Sequence, residues 1–302
     1  MATTDGSLST VAESRSLVVP QRRGIPYERY AGTLLRYALL IPLAILFLLP
    51  FYLMLRNGLM TQQEVTSDQW QWWAASTQWE NIRALFDDPL APMDIGLRNS
   101  AILAGVNLVF QTLFASMAGY ALARIPARGS NVAFFVILST LMVPSAVTFI
   151  PSYVVVSELG GVNTLWGIVV PGLFNAFATF LFRQFYLDFP VEIEEAGRLD
   201  GLGYIGLYRA MILPNSLGVM MALGIISFIY SWNAFLWPLV IARGDPDAFT
   251  VQIVLSTFLT AQTINLPALF MGAAIGALPL VLVFLFMQRF IVQGVKLSGI
   301  KG

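Results

Sequence analysis

The carboxylates and small residues that could recognise a partner are concentrated in one polar insert, residues 183–214, which separates two long apolar runs. The whole chain contains no histidine and no cysteine. This composition excludes imidazole bases, thiol nucleophiles, disulfides and the usual zinc ligands. Without these groups, the insert can recognise a partner by its charge and shape. The sequence therefore predicts a docking element rather than a catalytic one.

Local spacing predicts two short helices joined by a glycine turn within the insert. Asp188 is expected to cap the first helix just before Pro190, because proline is tolerated in a first helical turn. Gly201 is expected to end that helix in the left-handed conformation. Apolar residues at helical spacing predict a second helix over 204–211, which ends at Pro214.

The two predicted helices offer both acidic and apolar faces. Glu194 is expected to pair with Arg198 one turn later. An exposed apolar patch beside a membrane is typical of a protein-binding surface. The alternative is a helical hairpin lying on lipid, which the acidic residues disfavour because cytoplasmic leaflets are anionic and attract basic surfaces.

The composition requires a bilayer around these helices. The 302 residues are 57% hydrophobic and 11% charged, with a mean hydropathy of +0.72, whereas soluble domains carry roughly a quarter charged residues. About twenty apolar residues span the hydrocarbon core as a helix. The sequence therefore predicts an all-α integral membrane protein with six transmembrane helices, at residues 37–55, 99–123, 132–153, 165–182, 215–241 and 267–288.

The distribution of basic residues gives the orientation. With the N-terminus inside, thirteen of the 17 Lys and Arg residues lie on the cytoplasmic side, as the positive-inside rule requires. Six spans put both termini inside and the insert in the cytoplasm, between the fourth and fifth spans. We expect residues 1–30 to form a flexible cytoplasmic tail and residues 31–302 to form one transmembrane domain. The basic residues left outside are Arg56, Arg83, Arg98 and Arg243.

Two segments are expected on the outer side. Residues 56–98 contain four tryptophans, which are typical of the headgroup layer and favour membrane anchoring over contact with an external partner. Residues 243–266 are uncharged after Asp247 but rich in polar side chains, and they are interpreted as an exposed loop or an interfacial helix.

Polar side chains within the predicted spans are costly in lipid and often line a pathway. Hydrogen bonding between helices or simple packing is the alternative for each of them. Phe174 and Phe177 could stack on sugar rings beside such a path. The candidate path residues are Asn107, Gln111, Asn175, Ser227, Tyr230, Trp232 and Asn233.

The insert resembles the EAA loop of permease subunits in ABC-type importers, whose pattern is Glu-Ala-Ala, three residues, Gly, nine residues, Ile, any residue, Leu-Pro. Gly197 replaces the second alanine of that pattern and Met211 replaces the isoleucine. The matching residues are Glu195, Ala196, Gly201, Leu213 and Pro214.

The resemblance extends from about residue 37 to Gly302. Within the importer permeases, the chain is most similar to the carbohydrate-importer class, and there to the MalG-like one of its two permease subunits. The resemblance is carried by residues 118–124 (AGYALAR), by residues 232–238 (WNAFLWP) and by the ending at Gly302. It implies a type I ABC importer permease fold in the cytoplasmic (inner) membrane of a prokaryote.

The resemblance also implies a role without catalysis. A second, MalF-like permease would complete the path for a sugar or oligosaccharide, and an extracytoplasmic solute-binding protein would deliver it. ATP and Mg would be used by a dimer of separate ABC ATPase subunits, with no cofactor, metal or nucleic acid bound by this chain. The C-terminal residues 294–302 would also reach the ATPase. The implied coupling residues are Glu195, Ala196, Gly197, Asp200 and Gly201, with Leu213 and Pro214 fixing the loop to the fifth span.

Three other interpretations remain open at this point. The cargo of such a permease could be another solute, such as a glycerophosphodiester. An ion-coupled secondary transporter would need a charged residue at mid-membrane, and none of the six predicted spans contains one. An assembly factor without transport activity would leave the insert without a partner.

Overall fold

The structure, a computed structural model, describes residues 27–259 and 264–299, with side chains at 32–259 and 264–288, and these residues are predominantly helical. Most of the predicted N-terminal tail and the C-terminal side chains lie outside these ranges. In chain order the helices are α1 (Tyr27–Gly58), α2 (Gln62–Val65), α3 (Glu80–Asp87), α4 (Met93–Val106), α5 (Thr112–Arg124), α6 (Ser130–Thr140), α7 (Ser145–Glu158), α8 (Leu165–Val169), α9 (Ala176–Leu187), α10 (Val191–Leu199), α11 (Tyr204–Leu207), α12 (Leu213–Asn215), α13 (Leu217–Trp232), α14 (Leu236–Ala242), α15 (Val251–Thr257) and α16 (Leu266–Gly299).

Short tighter or wider turns join several of these helices. Residues Asn107–Gln111 and Tyr208–Ile212 are π-helical, and Val170–Leu173 and Pro246–Ala248 are 3₁₀-helical. A π-helical turn inserts an extra residue and is frequent at functional sites. Both π-helical turns recur in the candidate site.

The chain divides into two compact units, Met1–Pro50 and Phe51–Gly302. In the first unit, α1 carries Pro42 and exposes its side chains over residues 32–50. Apolar side chains exposed in this way suit a lipid environment, as expected for a membrane helix.

Four helical stretches of the described chain are long and apolar enough to cross a membrane, and two bent helix pairs bring the number to as many as six. The predicted spans at 37–55, 99–123, 165–182 and 267–288 fall on these four stretches. The bent pairs are α6 with α7, at 99°, and Tyr204–Asn215 with α13, at 76°. The four stretches are Gly32–Gly58, Met93–Arg124, Leu165–Leu187 and Leu266–Gln288, the third of which contains the extended residues Phe174 and Asn175.

The predicted spans over 132–153 and 215–241 each contain a break in the helix. The first is interrupted before Pro144, which has no backbone N–H and disfavours a helical residue before it, and α6 and α7 meet there at 99°. The second contains the non-helical residues 233–235, between α13 and α14.

One end of the continuous helix Met93–Arg124, which we call the Asn99 end, is tied to the segment before α15. Asn99 is completely buried, and its Nδ2 donates to the carbonyls of Asp247 at 2.9 Å and Phe249 at 2.8 Å. The Val251 N–H donates to Ser100 Oγ at 2.9 Å. Buried amide groups satisfied in this way fix a helix end in one register.

The described residues 243–259 of the segment 243–266 contain the helix α15 and are mostly buried or half-buried, so the prediction of an exposed loop was wrong and the alternative of an interfacial helix stays a prediction. Val251, Ile253 and Val254 are buried in α15, where they join the largest apolar cluster together with Met93 and Met271. The serine and threonine residues of α15 made the segment look polar in the sequence. In the structure, the hydroxyls of Ser256 and Thr257 donate to carbonyls of the same helix, so they do not need water as a partner.

The tryptophan-rich segment is ordered by a short helix. Thr61 and Glu64 form a reciprocal capping box at the start of α2. The backbone N–H of Thr61 and then that of Ala75 donate to the Glu64 carboxylate and lower its pKa. The Arg56 guanidinium lies 4.3 Å from the ring centroid of Trp70. The indoles themselves stay exposed, as expected of anchors in a headgroup layer.

The opposite end of Met93–Arg124, which we call the Arg124 end, packs against α9 and the π-helical turn Tyr208–Ile212. Tyr120, Phe182 and Tyr186 are buried there with Tyr208. The ring centroids of Tyr120 and Tyr208 are 5.3 Å apart. The insert 183–214 is thus built onto this helix end by aromatic packing.

Candidate functional site

The first helix of the insert begins at Val191, later than the sequence predicted. Asp188 is the residue that ends α9, and Pro190 precedes α10 without a side-chain hydrogen bond to cap it. The cap assigned to Asp188 was therefore wrong. Acidic residues still occupy the first turn of α10, where they interact favourably with the positive end of the helix dipole.

The helix ends at Gly201, as the spacing predicted. Gly201 has φ +78°, its N–H donates to the Arg198 carbonyl at 3.0 Å, and the Leu202 N–H donates to the Gly197 carbonyl at 3.0 Å. These two bonds form a Schellman motif, which satisfies the last carbonyls of the helix. The turn sends the chain back into α11.

The two departures from the EAA pattern lie beside one another. A Cβ at Gly197 would lie 2.4 Å from Leu207 Cδ2 and 3.6 Å from Met211 Cγ. Leu207 is buried, so it has little space in which to withdraw. Glycine at 197 lets α10 approach the second helix closely, and the long side chain at 211 covers the space beside it.

Glu194 is the buried acid of the insert, whereas Glu192 and Glu195 on the same helix are exposed. The Glu194 side chain is 4% exposed, and its Oε1 lies 3.1 Å from Arg124 Nε at the end of α5. The Arg124 Nε–H donates to the Tyr186 carbonyl at 2.8 Å, and Nη2 donates to the Phe189 carbonyl. Removing one member of such a buried pair leaves an uncompensated charge, at a cost of about 3–5 kcal/mol.

The predicted pairing of Glu194 with Arg198 is a minor contact. Their atoms are 3.9 Å apart, and the Arg198 side chain is 53% exposed, so water screens this interaction. Arg124 escaped the sequence analysis because it lies far from the insert along the chain. The sequence does show that Glu194 and Gly197 share one face of their helix, which indicates that this face is buried but does not identify the partner of Glu194.

A buried hydroxyl cluster gives the insert a second attachment. Ser116 Oγ on α5 lies 2.6 Å from the Tyr186 hydroxyl and 2.9 Å from the Tyr208 hydroxyl. Tyr208 is the first residue of the π-helical turn Tyr208–Ile212. The chain then continues through Leu213 and Pro214 into α13. The Ser216 hydroxyl donates to the Ile212 carbonyl at 2.6 Å, which secures the bend after Pro214.

The remaining residues predicted for coupling lie on the surface of the insert. Glu195, Ala196, Asp200, Gly201 and Pro214 are exposed, whereas Gly197 is buried and Leu213 is half-buried. Two large apolar side chains, Leu199 and Ile205, are also exposed close to the glycine turn. The insert thus presents an acidic and apolar surface around a rigid turn.

A cavity of about 600 Å³ opens beside the π-helical turn Asn107–Gln111. Five of the seven candidate path residues line it, together with both phenylalanines that the sequence singled out. None of the described residues that line the cavity carries a formal charge. The predicted residues in its wall are Asn107, Gln111, Asn175, Ser227, Tyr230, Phe174 and Phe177.

Several of the polar groups in the wall bind each other. Gln111 donates from Nε2 to the Gly172 carbonyl and accepts the Ser227 hydroxyl at Oε1. Asn175 Oδ1 caps α9 by accepting the Ala178 N–H at 2.9 Å. Asn107 is buried beside them with no hydrogen-bond partner at Oδ1. These bonds hold together the helices that form the wall.

Trp232 and Asn233 do not line the cavity. Trp232 is buried in the apolar core, and its Nε1 donates to the Gly276 carbonyl of α16 at 3.0 Å. Asn233 is exposed at the end of α13 and donates to the Ile229 carbonyl at 2.8 Å. Neither residue lines this cavity, and their place on the solute path stays a prediction.

The sequence analysis missed the contribution of α7 to the wall. Ser145, Thr148 and Ser152 follow i, i+3, i+7 spacing and line the cavity on one face of that helix. Trp237 of α14 also lines it and donates from Nε1 to the Gly167 carbonyl at 3.2 Å. The hydroxyl stripe was a readable signal within an otherwise apolar helix.

Metal chemistry finds no support in the described part of the chain. No group of three or more carboxylates lies close enough together there to hold an ion. The site therefore consists of a cavity with uncharged walls and the exposed surface of the insert, which lie toward different parts of the helix Met93–Arg124.

Comparison with known proteins gives this arrangement a context. The family model described as "Binding-protein-dependent transport system inner membrane component" matches residues 111–297. A crystal structure of a bacterial ABC transporter involved in the import of the acidic polysaccharide alginate has a similar fold, with a TM-score of 0.72 at 19% identity, over 87% of this chain and 97% of that chain.

Three curated relatives are similar in sequence. The arabinooligosaccharides transport system permease protein AraQ of Halalkalibacterium halodurans is 36% identical over 68% of this chain and 73% of its own length. The lactose permease protein LacG of Rhizobium radiobacter is 30% identical over 88% of this chain and 96% of its own length. The sn-glycerol-3-phosphate permease protein UgpE of Brucella abortus is 36% identical over 66% of this chain and 71% of its own length.

The left-handed turn gives a first prediction. Gly201→Val should destabilise the turn by about 1–2 kcal/mol, because a β-branched residue is strained at positive φ. Trypsin cleavage at Arg198 and Arg209 should then accelerate by roughly 5–30-fold. Gly203→Val is the matched control, because Gly203 has φ −77° and open space around it. Equal cleavage rates for the two variants would contradict the turn.

Two neighbouring aromatic residues give a second prediction. Trp232→Phe should lower the free energy of unfolding by about 1–2 kcal/mol, since it removes a buried hydrogen bond and ring volume. Tyr230→Ala should change it by less than about 0.5 kcal/mol, because Tyr230 is 82% exposed. Thermal unfolding of the purified chain in detergent measures both, and a larger loss for Tyr230→Ala would refute the assignment.

Proposed function

The chain belongs to the family of binding-protein-dependent transport system inner membrane components, and from this premise we propose that it is the permease subunit of an ATP-driven importer for a neutral sugar or oligosaccharide. A second permease completes the path in this proposal, and a binding protein delivers the cargo from outside. The observation that carries the proposal is the cavity with uncharged, polar and aromatic walls.

The cavity wall fits a neutral polyhydroxylated solute. Phe174, Phe177 and Tyr230 expose aromatic faces that can pack against the apolar faces of sugar rings. The hydroxyls of Ser145 and Thr148 offer donors and acceptors without charge. A few polar groups set among aromatic ones are typical of a small-molecule site.

An anionic cargo is the alternative, and the likeness to UgpE favours it. A phosphate or uronate moving through a low-dielectric path needs positively charged partners. The described cavity wall has none, so the proposal keeps neutral solutes first and glycerophosphodiesters second. An ion-coupled secondary transporter is set aside, because the family is one of binding-protein-dependent systems.

We assign coupling to the surface of the insert. The exposed residues Glu195, Ala196, Asp200 and Gly201 surround the rigid turn, and the exposed Leu199 adds apolar surface that favours a protein partner. In the proposal this surface docks on a dimer of ABC ATPase subunits, which bind ATP and Mg. The permease itself then needs no catalytic group and no cofactor.

We propose six spans with both termini in the cytoplasm, in the inner membrane of a prokaryote. The Asn163 N–H donates to the Ile241 carbonyl at 2.8 Å, which joins the turn after α7 to the end of α14. The segment that follows α14 is bonded to the Asn99 end, whereas the insert packs on the Arg124 end. This arrangement supports α6 and α7 as one bent crossing rather than a re-entrant loop.

The chain lacks cysteine, so single cysteines test this topology directly. In right-side-out vesicles, an impermeant maleimide should label Ser76→Cys and Glu158→Cys but not Asp188→Cys. If α6 and α7 formed a re-entrant loop, Asp188→Cys would be labelled and Glu158→Cys protected. Labelling after permeabilisation controls for the reactivity of each cysteine.

The importer itself is tested by purifying the tagged chain from its native membrane in mild detergent. We expect an ABC ATPase, a second permease and a solute-binding protein to be recovered with it. The melting temperature of that binding protein should rise with neutral oligosaccharides and not with glycerophosphodiesters or uronates. A chain recovered alone would refute the importer, and stabilisation by anionic ligands alone would refute the cargo class.

A further inference from the structure

Arg124 stands where the insert meets the helix that also lines the cavity. Its side chain is 13% exposed and is shared among three groups: the carboxylate of Glu194 and the carbonyls of Tyr186 and Phe189. The Nε–H points at the Tyr186 carbonyl, so the contact with Glu194 is mainly one of charge. A single guanidinium therefore joins α5, the end of α9 and α10.

The helix that carries Arg124 is continuous as far as the cavity. Residues Met93–Arg124 form one helical stretch, and Asn107 and Gln111 keep helical angles at the junctions, with φ −65° and −61°. Both residues line the cavity. At about 1.5 Å per residue, Arg124 lies roughly 20–25 Å from them along the axis.

The charge contact differs in kind from the other attachments of the insert. Aromatic packing and the Ser116–Tyr208 hydroxyl contact can slide or exchange partners. Glu194 is buried, and withdrawing it from Arg124 would leave two unpaired charges in a low-dielectric setting. When a partner displaces α10, the Arg124 end of the helix must therefore follow it.

We propose that Arg124 is a positioning residue that transmits movement of α10 to the cavity wall through the helix Met93–Arg124. The proposal rests on the importer function, which supplies the partner that displaces α10. In this proposal Glu194 holds α10 to the helix Met93–Arg124. Glu195 faces the surface and is left for the partner.

The test uses the complete importer in lipid vesicles and measures solute molecules imported per ATP hydrolysed. Glu194→Asp keeps the charge but withdraws the carboxylate from Arg124, and this ratio should fall by at least about fivefold. Glu192→Asp is the matched control, because Glu192 is an exposed acid in the first turn of the same helix. It should retain the wild-type ratio.

A double variant separates positioning from stability. Arg124→Gln/Glu194→Gln removes both charges, so the complex should assemble better than with either single glutamine variant. The positioning role predicts that the ratio stays low although assembly recovers. A ratio that recovers with assembly, or that is unchanged in Glu194→Asp, overturns the inference. A wild-type complex without ATP-dependent import would instead overturn the proposed function.

Discussion

The burial of one guanidinium at the end of α5 is the constraint on which the arrangement of this protein depends. A charged side chain at a helix end within a membrane protein is stable when its surroundings satisfy it. Arg124 is satisfied by two carbonyls at the end of α9 and by the Glu194 carboxylate. The insert can therefore be a rigid extension of the transmembrane helices rather than a loose connection between them.

The rest of the insert follows from this anchor. Glycine at 197 brings α10 against α11, and the positive φ of Gly201 reverses the chain within a single turn. The hydroxyl contact between Ser116 and Tyr208 fixes the second helix to the same end of α5. Internal contacts thus occupy the buried face, and the residues of the EAA pattern that remain exposed are free to meet another protein. This division explains how one short segment can both hold its shape and dock.

Much of this was readable from the sequence, and the failures have physical causes. The apolar runs and the glycine turn depend on local composition, which a sequence displays directly. The break before Pro144 follows from the proline itself, whereas the burial of α15 depends on neighbours that are distant along the chain. The burial of Trp232 in the apolar core depends on such neighbours too, because the sequence alone does not distinguish an aromatic residue of a core from one that lines a path. Arg124 could not be paired with Glu194, since periodicity carries no information about contacts between separate helices.

The measurement that tests the central claim most directly is the distance between spin labels on α10 and α5 in the assembled importer. Glu192→Cys and Ala121→Cys are exposed sites on these helices, in a chain without other cysteines. Electron–electron resonance with and without ATP should give the same narrow distance in both states, because the two helices move as one body. A distance that shifts or broadens when ATP binds would show that α10 moves independently of the helix that lines the cavity, and it would contradict the account.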